Sequence, residues 1–521
     1  MIRLKNLNLL LALALSMSTI GAAAHAQDKD AKPADKPADA ATPVPAKEES
    51  SVTDHTIKLG GQTIPYKATA ATILLKNEKD EQTALIYYTA YTRSDVKDLS
   101  QRPISFIYNG GPGSASVWLH MGSFSPRRVI TVNADATPPA PYKLVENTNS
   151  LLDKTDLVFV DPVGTGFSHA VGKAQDKDFW GVDQDVKSLA QLINTYVSRN
   201  SRWNSPKFLI GESYGTFRSA ALSNYLQSHD GMYFNGIVLI SSVLDLGTIS
   251  FNAGEDMPYI FYLPSYAATA WYHKVLKDRP DNLNAFLEEA RNFSQTEYAG
   301  ALMKGSKLGE AEKSAVAKKL SRYTGLNEDY LVKANLRVNL PQFMKELQRA
   351  RGLTTGRLDA RFSGWSYDLL GEYAEYDPQD TSITGPFTAA FNNYVRDELK
   401  FGQDKVYHTG SDEAGTNWDW KHRGGGDNFG FPGSPNVEGD LIQAMLTNPH
   451  LQVEVENGLY DLATPFFATE YTMEHLGLPE KLQKNIHLQY YDAGHMMYLR
   501  DEDLAKLKSN IATFIDGASK P

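Results

Sequence analysis

The chain has 521 residues, a formal net charge of -10 and 22% charged residues, so it carries no basic footprint for nucleic acid. It contains no cysteine, which excludes disulfides, thiolate zinc sites, a cysteine nucleophile and a lipoprotein-type cysteine anchor. The length suits roughly two to four domains, or one α/β domain carrying an inserted cap.

Residues 1–26 read as a secretory signal peptide. Arg3 and Lys5 form the positive n-region, residues 9–15 the apolar stretch, and Ala24-His25-Ala26 the small-x-small cleavage pattern. An uncleaved anchor is the rival reading, but the apolar run is short for a membrane span. The expectation is therefore export to the periplasm or beyond, with no membrane attachment after cleavage. Residues 27–51 are rich in Asp, Lys, Ala and Pro and poor in large apolar side chains, the composition of a disordered linker.

Strand-like runs begin near Thr53 and continue to Arg93, with a hairpin turn offered by Gly60-Gly61. They predict a leading antiparallel part of a sheet. The apolar run Ile104 to Tyr108 enters Asn109-Gly110-Gly111-Pro112-Gly113, and Leu157 to Val160 enters Asp161-Pro162-Val163-Gly164-Thr165-Gly166. A helix follows, with Val182, Val186, Leu189, Ile193 and Val197 on one face. Phe208-Leu209-Ile210 then leads into Gly211-Glu212-Ser213-Tyr214-Gly215 and a helix-compatible run over 216–227. Strand, G-x-S-x-G, helix is the setting of a nucleophile elbow, although an ordinary Gly-rich turn carries the same five residues. After a strand at 237–240, helix-like segments at 283–293, 311–323 and 340–350 predict a largely helical cap over 247–439. Asn417-Trp418-Asp419-Trp420 and Gly424-Gly425-Gly426 lie in it, as packed aromatics or a sugar-binding platform. Lys318-Lys319 is a short basic cluster on a helical pattern and reads as a solvated face. Strands resume at 451–455 and 486–490, a helix is expected at 466–475, and Leu504, Leu507, Ile511 and Phe514 mark a terminal helix. Strands alternating with helices argue a mostly parallel sheet with helices on both faces, its core formed by residues 52–246 and 440–518.

Three residues each follow a predicted strand: Ser213, Asp461 and His495. That chain order is the one expected of an α/β-hydrolase fold. A serine hydroxyl needs a nearby base, here His495, with Asp461 holding the correct tautomer. The Tyr214 amide and the Asn109-Gly110-Gly111 loop are placed to stabilise an oxyanion. A phosphate cradle is the rival for this loop, but it lacks the G-x-x-x-x-G-K-[ST] pattern. No metal-ligand spacing such as H-x-x-x-H is present, and no metal or cofactor is expected.

Taken together, the Asn109 to Ser116 block, Asp161-Pro162 with Gly164 to Ser168, the Ser213 block, Asn457-Gly458-Leu459-Tyr460-Asp461 and Ala493-Gly494-His495-Met496 resemble the serine carboxypeptidases (peptidase family S10) of bacterial type. The resemblance spans about residues 103–500. It implies Ser213, Asp461 and His495 as the triad, Gly111 and Tyr214 amides as the oxyanion hole, and Asn109 and Glu212 as ligands of the substrate's terminal carboxylate. Two carboxylates meet closely only if they share a proton, so peptidase activity is expected to favour acidic pH. The expected substrates are peptide or protein C-termini. The chain departs from the family at Tyr108, where Trp is usual, at Ser114, often Cys, and near Ser123, where some members have an acidic residue. An esterase or acyltransferase of the same fold, or a peptide-binding protein without catalysis, are the other readings.

Overall fold

The computed structural model describes residues 45–423 and 434–520. The expected signal peptide, residues 27–44 of the expected linker and the Gly424-Gly425-Gly426 run lie outside the described residues. The last part of that linker is a correction: strand β1 (Ser50–Leu59) already begins at Ser50. Just before it, Glu48 accepts a hydrogen bond from Leu74 N at 2.8 Å, and Glu49 N donates to Thr72 Oγ1 at 2.9 Å. Residues 48–51 are therefore tied to the sheet edge.

Three long antiparallel strands open the sheet: β1, β2 (Gln62–Lys76) and β3 (Gln82–Arg93), with Gly60 and Gly61 at positive φ in the β1–β2 turn. Next come β4 (Ile104–Tyr108), β5 (Asp156–Val160), β6 (Lys207–Glu212), β7 (Gly236–Ile240), β8 (Gln452–Gly458) and β9 (Ile486–Tyr491). Their spatial order is β1-β2-β3-β5-β4-β6-β7-β8-β9, and the short strand His169–Ala170 pairs with β3 as a tenth. From β5 to β9 every pairing is parallel. The connections in this half run through helices, as parallel neighbours require.

Side chains alternate across the central strands, so each strand feeds two cores. Leu209, Ile237, Leu239, Val453 and Val455 join one face, with helices α1 (Val182–Arg199), α2 (Tyr214–Asp230) and α5 (Glu438–Thr447) over them. Phe208, Ile210, Val238 and Ile240 join the other, beneath α4 (Pro378–Asp397) and α6 (Asp501–Ala518). Each fully buried side chain of this kind stabilises by about 1.5–3 kcal/mol. The α1 stripe is buried as its spacing predicts, while Lys187, Gln191 and Ser198 face solvent. Helix α2 is buried nearly all round because α1 and α5 flank it.

The segment between β7 and α5 does two jobs. Helix α3 (Met257–Tyr272), the helices Leu283–Phe293 and Glu310–Thr324, and Phe343 build a separate core with Leu459, Leu462, Phe466 and Phe467. Helix α4, inside the same stretch of sequence, instead packs Phe387, Phe391 and Tyr394 under the sheet. A hairpin, Leu353–Thr355 with Ser363–Trp365, also interrupts the expected run of helices. Trp418 and Trp420 stand edge-on to Tyr214 at 5.3 and 5.8 Å, as packed aromatics. Among the described residues no helix is long and apolar enough to cross a membrane.

Candidate active site

Strand β6 ends at Glu212 and α2 starts at Tyr214, leaving Ser213 alone on the turn with φ 61° and ψ −129°. That conformation is costly for a residue with a side chain. It is held by Ser213 N donating to Ile240 O at 3.0 Å and Thr216 N donating to Ser213 O at 2.8 Å. The turn is so tight that a Cβ on Gly211 would lie 2.1 Å from Gly215 O, so no other residue fits there. Glu212 and Tyr214 are buried while Ser213 remains partly exposed. As the first residue of a helix, Tyr214 has an amide without an intrahelical acceptor. The Asn109–Gly113 loop lies directly against it, since a Cβ on Gly110 would come within 2.4 Å of Tyr214 N.

Asn109 fixes this loop and meets the elbow at once. Its Oδ1 accepts from Leu119 N at 2.9 Å, and its Nδ2 donates to Glu212 Oε1 at 2.7 Å. Both residues are buried. Burial pushes the Glu212 carboxyl up to about 7, outweighing His495, Tyr498 and Asn109, which favour its charged form. The Asn109 carbonyl accepts from Arg218 Nη1 at 2.7 Å, and Arg218 Nε donates to Asp185 at 2.6 Å with both side chains enclosed. The second Gly-rich loop braces the first: Asp161 Oδ1 accepts from Ser116 N at 2.8 Å.

Asp461 follows β8 and His495 follows β9, and these adjacent strands bring the two together. His495 Nδ1 bonds Asp461 Oδ2 at 2.8 Å. The carboxylate also accepts from Ala463 N at 2.7 Å, Thr464 N at 2.9 Å and Thr464 Oγ1 at 2.7 Å, an environment that fixes its orientation. Burial opposes charge on His495, but Asp461 attracts it and bonds it, and Glu212 adds to this, so its pKa is raised. Nε2 makes no hydrogen bond among the described residues. Ser213 Oγ and His495 Nε2 therefore are not bonded to each other, an open arrangement common in unliganded sites. Their backbones share one support: Ile240 O holds Ser213 N, and the next residue, Ser241, donates its hydroxyl to His495 O at 2.7 Å.

Several residues in this arrangement carry no motif. Arg218 is a lone cation in a helix of small and apolar residues, which is a readable signal for a buried pair. Asp185 looks in sequence like a helix-start acid and is instead its partner. Tyr498 is fully buried with its hydroxyl facing Glu212 and Asn109, although neither it nor Glu212 Oε2 completes a hydrogen bond of regular geometry. Ser123, near which the resemblance expects an acid, is buried and donates to Leu119 O at 2.6 Å. No sequence signal marks residues 357–360, whose backbone reaches both the Asp461 and His495 loops.

The likeness to known proteins runs along most of this framework. The serine carboxypeptidase family model matches residues 63–501. The pheromone-processing carboxypeptidase KEX1 of Saccharomyces cerevisiae is 29% identical over 161 residues, 30% of this chain and 21% of the relative. The human retinoid-inducible serine carboxypeptidase is 28% identical over 141 residues, 26% of this chain and 28% of the relative. The chain thus matches between about a fifth and just over a quarter of the length of these curated relatives. Among solved structures, the prohormone-processing carboxypeptidase KEX1(delta)p of S. cerevisiae superposes with a TM-score of 0.54 at 19% identity, covering 87% of this chain and 91% of the other. That likeness shows a shared α/β-hydrolase fold. With the family model running from the second sheet strand through the His495 loop, the chain belongs to the serine carboxypeptidase family.

Proposed function

We propose that the protein is an exported serine carboxypeptidase that releases residues from peptide C-termini through an acyl-enzyme. The observation that carries this reading is the buried Asn109–Glu212 pair immediately beside the elbow serine. A protonated carboxyl there can share its proton with a substrate's terminal carboxylate, with the Asn109 amide beside it. The last peptide carbonyl is then presented to Ser213.

Ser213 Oγ attacks that carbonyl while His495 Nε2 takes the hydroxyl proton. Asp461 supports the imidazolium that forms. The amides of Gly111 and Tyr214 donate to the oxyanion, an effect worth about 3–4 kcal/mol per donor when removed. Collapse breaks the C–N bond, and His495 returns its proton to the departing amine. Water repeats the sequence on the acyl-enzyme and frees Ser213. The residues named are all protein groups, and the chemistry requires no cofactor. The substrates are peptide or protein C-termini in the periplasm or outside the cell.

Incubating a peptide with wild-type and Ser213→Ala protein and following masses tests the reading. Stepwise loss from the C-terminal end, absent in the variant and in a C-terminally amidated peptide, is expected. Equal cleavage of free and amidated peptides would instead mark an enzyme that does not read the carboxylate.

A further inference from the structure

Part of what holds the Asp461 and His495 loops in place comes from outside both loops. Residues 357–360, on the connection between the short hairpin strands Leu353–Thr355 and Ser363–Trp365, cross directly behind them. Arg357 O accepts from Leu462 N at 3.0 Å, Leu358 O accepts from His495 N at 2.7 Å, and Ala360 N donates to Tyr460 O at 2.9 Å. The fourth bond uses a side chain: Asp359 Oδ2 accepts from Gly494 N at 3.0 Å. Two consecutive peptide units in each of the two loops are thereby joined to one strap.

Asp359 is held firmly in that role. It is 1% exposed, and Arg361 donates to it from Nη2 at 2.6 Å, from Nε at 3.0 Å and from its backbone amide at 2.9 Å. The approach to Gly494 is close enough that a Cβ there would sit 2.5 Å from Asp359 Cα and Cβ. The strap is anchored from the other side by Asp377, the N-cap of α4, whose Oδ2 accepts from Arg357 N at 2.8 Å and Leu358 N at 2.9 Å. Helix α4 is itself packed under the sheet. A second support for the His495 backbone, besides Ser241, therefore runs through the inserted segment.

We propose that Asp359 is a positioning residue for His495, fixing the imidazole through the Gly494 amide so that Nε2 stays in line with the serine. The proposal rests on the carboxypeptidase reading only for the role given to His495. Asp359 touches no substrate; it acts through the loop. One consequence is that the segment carrying the hairpin is part of the catalytic geometry as well as a cover.

The test is a pair of substitutions with turnover, labelling and spectroscopic readouts. In Asp359→Ala protein with native circular dichroism, kcat is expected to fall about 10- to 100-fold, the scale of a roughly 1 Å misplacement, with KM changed less than about twofold. Labelling of Ser213 by a fluorophosphonate slows by the same factor. Asp359→Asn, whose Oδ1 still accepts from Gly494 while its Nδ2 faces the Arg361 donors, recovers part of the rate. Gly494→Ala displaces the same contact from the other side and is expected to lower kcat likewise, so the idea stays testable should the alanine variant at 359 not fold. A folded Asp359→Ala enzyme with wild-type kcat, or an Asp359→Asn enzyme no better than it, overturns the proposal. If wild-type protein neither cleaves nor labels, it is the reading of Ser213 that fails. Asp359 is then judged by the His495 Nδ1–H resonance, expected to persist in wild-type and Asp359→Asn protein and to be lost to exchange in Asp359→Ala. An unchanged resonance in the alanine variant refutes the positioning role without any reference to turnover.

Discussion

Replacing Glu212 by glutamine keeps a hydrogen-bonding group of the same shape beside Asn109 and removes the proton equilibrium. In the wild type, burial raises the Glu212 carboxyl to about 7. The neutral form then dominates below that pH and declines about tenfold for each further unit above it. Only the neutral form can share a proton with a terminal carboxylate, so kcat/KM for peptides with a free C-terminus is expected to fall roughly tenfold between about pH 6 and 8. Esters and amidated peptides do not draw on that proton and should lack this alkaline limb. In Glu212→Gln the limb is expected to vanish for free peptides as well, because the amide donates at every pH. The Glu212 charge also raises His495, but that carboxyl is already mostly neutral on the acid side of about 7, so the acid limb is expected to stay nearly in place in Glu212→Gln. Initial rates on a matched free and amidated peptide pair, taken across pH 4 to 9, give both limbs (a range chosen about two to three units either side of the carboxyl,). A wild-type kcat/KM for free peptides that climbs steadily from about pH 5 to 8, or an alkaline limb untouched by Glu212→Gln, would refute the reasoning.

Three other outcomes are expected. Tyr498→Phe removes a hydroxyl that favours the charged form of Glu212, so the alkaline limb for free peptides moves to higher pH while ester turnover is unchanged; steady-state kinetics on the two substrate types across pH checks this. Arg218→Met leaves Asp185 enclosed without its partner, a loss of about 3–5 kcal/mol, visible as a lower midpoint in urea near neutral pH and smaller in acid, where Asp185, raised by burial, is protonated. Glu456 is enclosed and, among the described residues, accepts a hydrogen bond from Tyr491 alone, at 2.6 Å; burial raises it to about 8. A carboxyl raised on folding stabilises below its unfolded pKa and loses that contribution as pH rises through its folded value. Glu456→Gln should therefore match the wild type near pH 5 and exceed it by an increasing margin toward pH 8, on the order of 1 kcal/mol per pH unit, in thermal melts.

The sequence by itself was enough for the elements that follow from local pattern. The 3.6-residue stripe of α1, the apolar runs of β4 to β7, the alternating residues of β8 and β9 and the Gly60-Gly61 turn all fall where side-chain periodicity and turn chemistry put them. The three loops carrying Ser213, Asp461 and His495 were legible because each follows a strand-like stretch and carries a glycine near the polar residue. Parallel pairing then gathers those strand ends at one edge. The extent of β1 was not legible, since alternating polar residues on an edge strand look like linker until a partner strand is present.

Only the tertiary structure decided which charges face inward and what the inserted segment does. Arg218 and Asp185 lie 33 positions apart, and Asp359 is 135 positions from Gly494. No local periodicity encodes contacts at such separations. Helix α4 has the pattern of any amphipathic helix, and its place beneath the sheet follows from the space left beside α6 and from the large rings of Phe387, Phe391 and Tyr394 that fill it. Short-range order is set by backbone preference and side-chain spacing. The buried polar network around His495 arises because every amide shut away from water needs an acceptor, and the segment that folds over the loops supplies it.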